Sequence, residues 1–167
     1  MVLKEYEPII EDTIEQLCNN SRFLQTTKYM QHGKTSVYEH CIKVAYMSCR
    51  IASRLRLNVD FPLLIRGALL HDYFLYDWHD KNNGHRLHGF FHPRKSLQNA
   101  HEDFELTPKE ENIILRHMFP LTPIPPYYLE SWIVCIADKL CALNETLQIN
   151  VIQQKMRKKI SSRRISV

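Results

Sequence analysis

The sequence is poor in glycine and contains no long apolar run. Only four glycines occur among 167 residues, which disfavours a turn-rich all-β fold. No apolar stretch approaches the roughly 20 residues that a membrane-spanning helix needs. Residues 1–6 also lack the apolar core of a signal peptide. We therefore expect a soluble, cytoplasmic protein with no membrane association.

The sequence also lacks paired cysteines of the kind that bind metals or form redox motifs. Its five cysteines include no C-x-x-C pair. An odd number without metal-type spacing predicts reduced thiols in a reducing compartment. Most of them are expected to serve as small core residues.

Charge is distributed unevenly along the chain. Residues 151–167 hold six of the 22 basic residues and no acidic residue, which leaves 16 basic and 18 acidic residues elsewhere. This near-neutral body argues against a dedicated nucleic-acid binder. The length and the 44% hydrophobic content fit one domain over residues 1–167 with a basic C-terminal tail at 151–167.

Hydrophobic periodicity and capping signals predict an all-α fold. Ser36 and Glu39 form an S-x-x-E capping box, and Thr107 precedes a second helix start with Pro and Glu in its first turn. Pro93 is predicted at the first position of another helix. Irregular segments are expected at 22–34, 73–92 and 119–126. The predicted helices cover residues 6–18, 36–55, about 62–70, 93–104, 107 to about 118, 128–143 and the tail from about 149.

Several ionisable residues fall at positions that the helix pattern predicts to be buried. His71 and Asp72 follow an apolar helix, and Asp138 lies in the middle of another. His40 belongs to an apolar stripe, although a core histidine taken alone is more often only hydrogen-bonded. Buried charges are costly unless they are paired. A metal ion is a common partner for imidazole and carboxylate groups together.

The order His40, His71-Asp72, Asp138 resembles the HD superfamily of metal-dependent phosphohydrolases. The surrounding segments, EHCIKVA at 39–45, LLHD at 69–72 and IADK at 136–139, agree with it. The resemblance covers roughly residues 36–143. It implies a compact all-α HD-domain helical bundle with a metal site between the central helices.

Two further histidines extend the resemblance to a six-ligand site. His92-Pro93 with Ser96 is similar to the His-Pro segment of the HD-GYP branch, and His117 falls where such proteins place another ligand. By resemblance, Asp72 bridges two metals. The remaining ligands would then divide into two groups, with His40, His71 and Asp138 at one metal and His92 and His117 at the other.

The sequence departs from known branches of the HD superfamily, and these departures narrow the range of functions that the resemblance implies. The same six-residue set occurs in diadenosine-tetraphosphate hydrolases and in myo-inositol oxygenase, but here Tyr73-Phe74-Leu75 replaces the x-G-K that follows His-Asp in the oxygenase. Arg116-His117-Met118 replaces the paired histidines of HD-GYP proteins, which disfavours a cyclic-di-GMP phosphodiesterase. The leading hypothesis is a phosphohydrolase of a small phosphate ester, with nucleotides and dinucleoside polyphosphates as candidates. A di-iron oxygenase and a non-catalytic metal- or nucleotide-binding sensor remain alternatives.

The implied cofactor is one or two divalent metal ions, and Fe, Mn, Zn and Co all suit mixed N/O ligation. Asp72 and His71 are the predicted catalytic residues. His88, Arg94 and Lys139 are candidate substrate-binding groups, although such a residue is more often a solvated surface charge than a phosphate clamp. Aromatic residues at 73–78 and 90–91 could stack a nucleobase or simply pack in the core. The sequence leaves the substrate and the oligomeric state open.

Overall fold

The computed structural model describes the backbone of residues 4–19, 21–32, 35–78 and 87–164, and their side chains except those of His32 and 148–164. This part of the chain is almost entirely helical, which confirms the all-α prediction. Its α-helices are α1 Glu7–Asn19, α2 Val37–Arg54, α3 Phe61–Leu70, α4 His88–Asp103, α5 Pro108–Arg116 and α6 Leu129–Arg164.

Short elements fill the segment between α1 and α2. A 3-10 helix covers Phe23–Lys28, and two short antiparallel strands follow, β1 Met30–His32 and β2 Thr35–Ser36. The prediction of irregular structure at 22–34 was therefore wrong in part. Phe23 is fully buried and anchors the 3-10 helix against the core. An aromatic residue in a mostly polar segment does not by itself predict such an anchor.

The predicted helix starts are formed by side-chain caps. Ser36 accepts a hydrogen bond from the Glu39 amide, and the Glu39 carboxylate accepts from the Ser36 amide. Thr107 and Glu110 make the same reciprocal pair at α5. Asp60 caps α3 by accepting from the Leu63 amide at 3.1 Å. Each cap satisfies backbone donors that have no partner inside the helix.

The start of α4 differs from the prediction. The helix begins at His88, so Pro93 lies inside it and His92 lies in its second turn rather than at its mouth. Pro93 is the sixth residue of α4 and has no amide hydrogen to donate to the carbonyl of Gly89, four residues earlier. The helix therefore forms with one internal hydrogen bond fewer. The loop predicted at 73–92 therefore ends at Leu87. Residues 79–86 of this loop lie outside the described residues.

Helix α6 also differs from the prediction. It runs without interruption from Leu129 to Arg164, whereas the sequence pattern predicts one helix at 128–143 and another from about 149. Neither glycine nor proline occurs between these segments to end the first helix. The basic side chains of 151–164 lie outside the described side chains, and residues 165–167 lie outside the described residues.

Over the side chains that the structure describes, residues 129–147, only one side of α6 is buried, whereas the sequence predicts a helix over 128–143 that is apolar almost all round and buried. Ile133, Val134 and Ala137 face the core, whereas Trp132 and Ile136 are 38% and 47% exposed. Apolar composition alone does not reveal which side of a helix a neighbouring helix covers. Leu55, the last residue of the helix predicted over 36–55, is the C-cap of α2 and is 65% exposed.

The core lies around α2 and α3. Helix α2 packs against α3 and α6, and α3 packs against α5. The side chains at the C-terminal end of α3 are fully buried, namely Leu64, Ile65, Ala68, Leu69 and Leu70. This packing carries the following residues, His71 and Asp72, into the interior. Among the described residues, no helix combines the length and apolarity required to cross a membrane.

A polar cluster fixes the chain just after Asp72. Tyr73 is fully buried, and its hydroxyl donates to Asp103 at 2.5 Å. Arg22 donates to the same carboxylate at 3.0 Å, and the Asn99 amide donates to the Tyr73 carbonyl at 2.9 Å. These bonds tie the segment after α3 to α4 and to the 3-10 helix. Asp72 is therefore held in a fixed backbone position.

Gly67 is required where α3 approaches α5. A Cβ atom at this position would overlap Cδ1 of Ile113, which is fully buried. We expect Gly67→Ala to lower the free energy of unfolding by about 1–3 kcal/mol through overpacking. This would happen even though alanine is the better helix former. Urea denaturation measures the change.

Ile113→Val is the matched background because it removes the clashing Cδ1 atom. We expect Gly67→Ala to cost less in that background than in the wild type. An equal cost in both backgrounds would show that contact with Ile113 does not limit the position.

Candidate metal centre

Six ionisable side chains from five helices meet in the interior. His40 comes from the first turns of α2, His92 from α4 and Asp138 from the middle of α6. His71 and His117 lie at the C-terminal caps of α3 and α5, and Asp72 follows His71. None of the six is more than 7% exposed. The structure thus brings together all six residues that the sequence analysis singled out as metal ligands.

One carboxylate oxygen of Asp72 faces the first group of side chains. Its Oδ2 lies 3.4 Å from Nε2 of His71 and 3.8 Å from Nε2 of His40. Asp138 completes this group, because its Oδ1 lies 3.1 Å from His40 Nε2 and 3.8 Å from His71 Nε2.

The other oxygen of Asp72 faces a second group. Its Oδ1 lies 3.0 Å from Nε2 of His92 and 3.3 Å from Nε2 of His117. The two histidine Nε2 atoms are themselves 2.8 Å apart. Asp72 therefore stands between two histidine pairs and presents one oxygen to each.

The tautomers of these histidines follow from their outer hydrogen bonds. Nδ1 of His71 donates to the Ala68 carbonyl at 2.7 Å, Nδ1 of His92 to the His88 carbonyl at 2.9 Å, and Nδ1 of His117 to the Ile114 carbonyl at 2.7 Å. Carbonyl oxygens only accept, so the proton of each neutral ring is on Nδ1. Each Nε2 then directs a lone pair at the centre.

The centre consequently gathers hydrogen-bond acceptors with few donors. Nε2 of His71 and Oδ1 of Asp72 have no hydrogen-bond partner among the described residues. Buried acceptors facing one another are unfavourable unless a cation lies between them. Three sets of three ligand atoms, each set within 4.8 Å, could hold such an ion: His40/His71/Asp72, His71/His117/Asp138 and Asp72/His92/His117. The donor set fits a divalent metal.

In the metal-free protein, protons supply the missing positive charge. Burial lowers the pKa of His40, but its hydrogen bonds to Asp138 and Glu145 outweigh burial and raise the pKa to about 10. The pKa of His71 is also raised despite burial, chiefly by the charge of Asp72. Burial opposes the ionisation of Asp72, yet the charges of His71 and His92 hold its pKa well below the ordinary value. Burial lowers the pKa of His117.

Sequence reasoning missed Glu145, which supports His40 from behind. It is 5% exposed, and its Oε2 lies 3.1 Å from Nδ1 of His40 while its Oε1 accepts from Lys43 at 3.0 Å. This bond aims Nε2 of His40 at Asp138. Glu145 follows Asp138 by seven positions, or two helical turns, so both lie on one face of α6. That seven-residue spacing was the sequence signal by which Glu145 could have been found.

Sequence reasoning also missed Gln31 on β1. Its Nε2 donates to Oδ2 of Asp72 at 2.5 Å, and the side chain is 6% exposed. No motif or helical period includes Gln31, and only the position of the short ribbon β1–β2 brings it to the centre.

A cavity of about 700 Å³ opens onto the centre. Asp72, His92 and Asp138 form part of its wall. Two of the predicted substrate-binding residues, His88 and Lys139, also line it. The third, Arg94, is exposed on α4 and is not among the described residues that line the cavity. The structure therefore offers no support for Arg94 at this site.

Fold and centre together define an α-helical domain with a buried histidine–aspartate site that could hold a metal. The chain belongs to the HD domain family, whose model matches residues 37–143, more than half of the chain. This confirms the resemblance found in the sequence. Members of the family are generally metal-dependent hydrolases that bind divalent metals. No curated protein and no solved structure matches the chain at a significant level.

Metal affinity is expected to rise with pH. Because the His40 pKa is about 10 in the metal-free protein, a proton must leave this ring before Nε2 can bind a metal at neutral pH. Each displaced proton strengthens the apparent affinity about tenfold per pH unit below that pKa. Titration with Mn²⁺ between pH 6 and 9 measures the slope. A Mn²⁺ affinity that is constant between pH 6 and 9 would contradict the assignment of His40 as a metal ligand.

Substitution of Glu145 is expected to weaken metal binding. Glu145→Ala removes the acceptor that orients His40, and loss of such an outer partner typically costs about 10–100-fold in metal affinity. Glu145→Gln retains an acceptor and should cost less. Lys43→Met is the matched control because it removes only the half-exposed partner of Glu145. Equal affinities for the wild type and Glu145→Ala would exclude a positioning role.

Proposed function

We propose that the six central side chains bind two divalent metal ions. His40, His71 and Asp138 would hold one ion, and His92 and His117 would hold the other. Asp72 would bridge them through its two oxygens. The division rests on the Asp72 geometry, in which Oδ2 faces His40 and His71 and Oδ1 faces His92 and His117. The ligand set suits Fe, Mn, Zn or Co.

The proposed reaction is hydrolysis of a small phosphate ester. Bound divalent metals lower the pKa of a water ligand and neutralise charge on a phosphoryl oxygen. The chain's own contribution is to fix the ligands: Nδ1 bonds to backbone carbonyls orient the rings, and burial excludes bulk water. Asp72 lies at the middle of this arrangement. His71 precedes it in the chain, and its Nε2 lies 3.4 Å from Oδ2 of Asp72.

The cavity supports access by a small molecule. Its wall includes Asp72, Asp138 and Lys139. The Lys139 ammonium donates to the His117 carbonyl at 2.8 Å and to the carbonyl and Sγ of Cys135, both at 3.3 Å, and these acceptors carry no charge to balance it. Lys139 is therefore suited to attract a phosphate group toward the centre. Membership of the HD domain family supports the same class of reaction.

Asp72→Asn tests the proposal with little change in shape. We expect phosphate release by the Mn²⁺-loaded protein to fall to background, because the variant removes the charge shared by both proposed metal sites. The assay uses a panel of nucleotides, sugar phosphates and dinucleoside polyphosphates. Asp12→Asn is the control, since Asp12 is exposed on α1 and its loss should leave activity unchanged.

Circular dichroism spectra of both variants are compared with that of the wild type to check that the variants remain folded. Full activity in Asp72→Asn would overturn the proposal. Metal binding without release of phosphate from any substrate, accompanied by substrate-dependent oxygen uptake, would favour the di-iron oxygenase instead. Tight nucleotide binding with no turnover would favour the sensor.

A further inference from the structure

The side of α6 that faces away from the core is apolar. Six large side chains follow one another along it at intervals of three or four residues, which places them on one side of the helix. Each is between 38% and 57% exposed. They are Leu129, Trp132, Ile136, Leu140, Leu143 and Leu147. This α6 outer face extends over about 27 Å of helix. An exposed apolar patch of this kind marks a binding surface.

The α6 outer face carries no exposed acidic side chain. Over positions 129–147, all of which the structure describes, the one exposed charge is that of Lys139. The three acidic residues of this part of the helix are at most 7% exposed, namely Glu130, Asp138 and Glu145. The sequence of the neighbouring helix α2 also has no acidic residue from 40 to 54. This part of the surface is therefore apolar without being negatively charged.

Helix α2 places positive charge beside the α6 outer face. Leu140 shares a groove with Arg50 and Arg54 of α2, and both arginines are exposed. Among the described side chains, neither guanidinium group has a hydrogen-bond or ion-pair partner. Lys43 lines the adjoining groove, which also includes Arg50 and Leu140. The apolar face consequently has a cationic edge whose charge is largely uncompensated.

The rest of α6 adds more basic residues. The helix continues to Arg164, and the sequence from 148 to 164 contains six Lys or Arg residues and no acidic residue. Because α6 runs on as one helix, the segment after Leu147 leads away along the helix axis and does not fold back over the α6 outer face. The face is left open to a partner.

A partner for this surface must supply apolar contact and negative charge together. The surface of an anionic lipid bilayer does so, because apolar side chains enter the acyl boundary while headgroup phosphates meet Lys and Arg. Trp132 suits this environment, since tryptophan is enriched at the membrane–water interface. Nucleic acid would neutralise the arginines but leave the leucines uncovered. A second copy of the chain would bring the same cations with it.

We propose that the α6 outer face, together with Arg50 and Arg54, binds the surface of a membrane that contains anionic lipids. Helix α6 would lie along the membrane plane, with apolar contact and basic charge as the two signals that stable attachment requires. The expectation of no membrane association rested on the lack of a spanning segment and of a signal peptide, and a surface-bound helix needs neither. The proposal does not depend on the metal centre or on the proposed reaction.

Cosedimentation of the full-length protein with lipid vesicles tests the proposal. Vesicles of phosphatidylcholine alone are compared with vesicles in which about a third of the lipid is phosphatidylserine. We expect the partition coefficient to be at least about tenfold higher for the anionic vesicles, because each basic residue near their surface adds attraction. Added salt should reduce the difference by screening this attraction.

Leu143→Gln tests the apolar part of the surface. We expect partition onto the anionic vesicles to fall at least about threefold, because a polar side chain replaces a leucine that enters the lipid. Leu24→Gln is the matched control, since Leu24 lies on the 3-10 helix and is 55% exposed, against 57% for Leu143. This control should bind as the wild type does.

The double variant Arg50→Gln/Arg54→Gln tests the cationic edge. We expect partition onto the anionic vesicles to fall at least about tenfold, and partition onto phosphatidylcholine to change little. Lys28→Gln/Lys95→Gln removes the same number of positive charges from exposed positions elsewhere and should have a smaller effect. Circular dichroism spectra are compared with that of the wild type to check that each variant is folded.

Three results would overturn the proposal. The first is equal partition of the wild type onto both kinds of vesicle. The second is an equal loss of partition in the test variants and in their controls, which would show attraction by net charge rather than by this surface. The third is a dimer, detected by sedimentation velocity without lipid, that Leu143→Gln dissociates, because the α6 outer face would then belong to an interface between two copies.

Discussion

The Asp72 carboxylate is the interaction on which the rest of the centre depends. It is 1% exposed and lies between two histidine pairs, with one oxygen directed at each. An isolated carboxylate at such a position would be strongly destabilising. Its placement requires positive charge on both sides, and the helices are arranged to supply it. The fully buried end of α3 carries Asp72 inward, and the Tyr73–Asp103 contact fixes the chain immediately after it.

The surrounding groups divide between holding ligands and meeting a substrate. Backbone carbonyls and Glu145 orient the histidine rings from outside, so little ring motion is left when a cation binds. Gln31 and Lys139 face the cavity as well as the centre. The cavity wall also includes apolar side chains, among them Met118 and Leu121. It therefore combines charged and apolar surface, as ligand cavities generally do.

Much of the site could be predicted because its signals are local. His71-Asp72 after an apolar helix and Asp138 within one are conspicuous, and the caps at Ser36 and Thr107 fixed two helix starts. Pro93 gave the wrong start for α4, because proline usually marks the first turn of a helix. Here it lies in the second turn of a helix that begins at His88. Gln31 could not be found from the sequence, since its role comes from a contact across 41 positions in the chain. Arg94 was selected by proximity in sequence, but α4 leaves it exposed.

Local sequence signals predicted the helical class, the main caps and four polar residues at core positions, because helical periodicity and burial cost are properties of short segments. His92 and His117 were added to the ligand set by resemblance to the HD superfamily. Tertiary structure set which oxygen of Asp72 faces which histidine pair, that Glu145 supports His40, and that Gln31 donates to Asp72. It also decided which side of α6 is covered. These features depend on how separate helices pack, and packing is set by contacts between residues far apart in the chain.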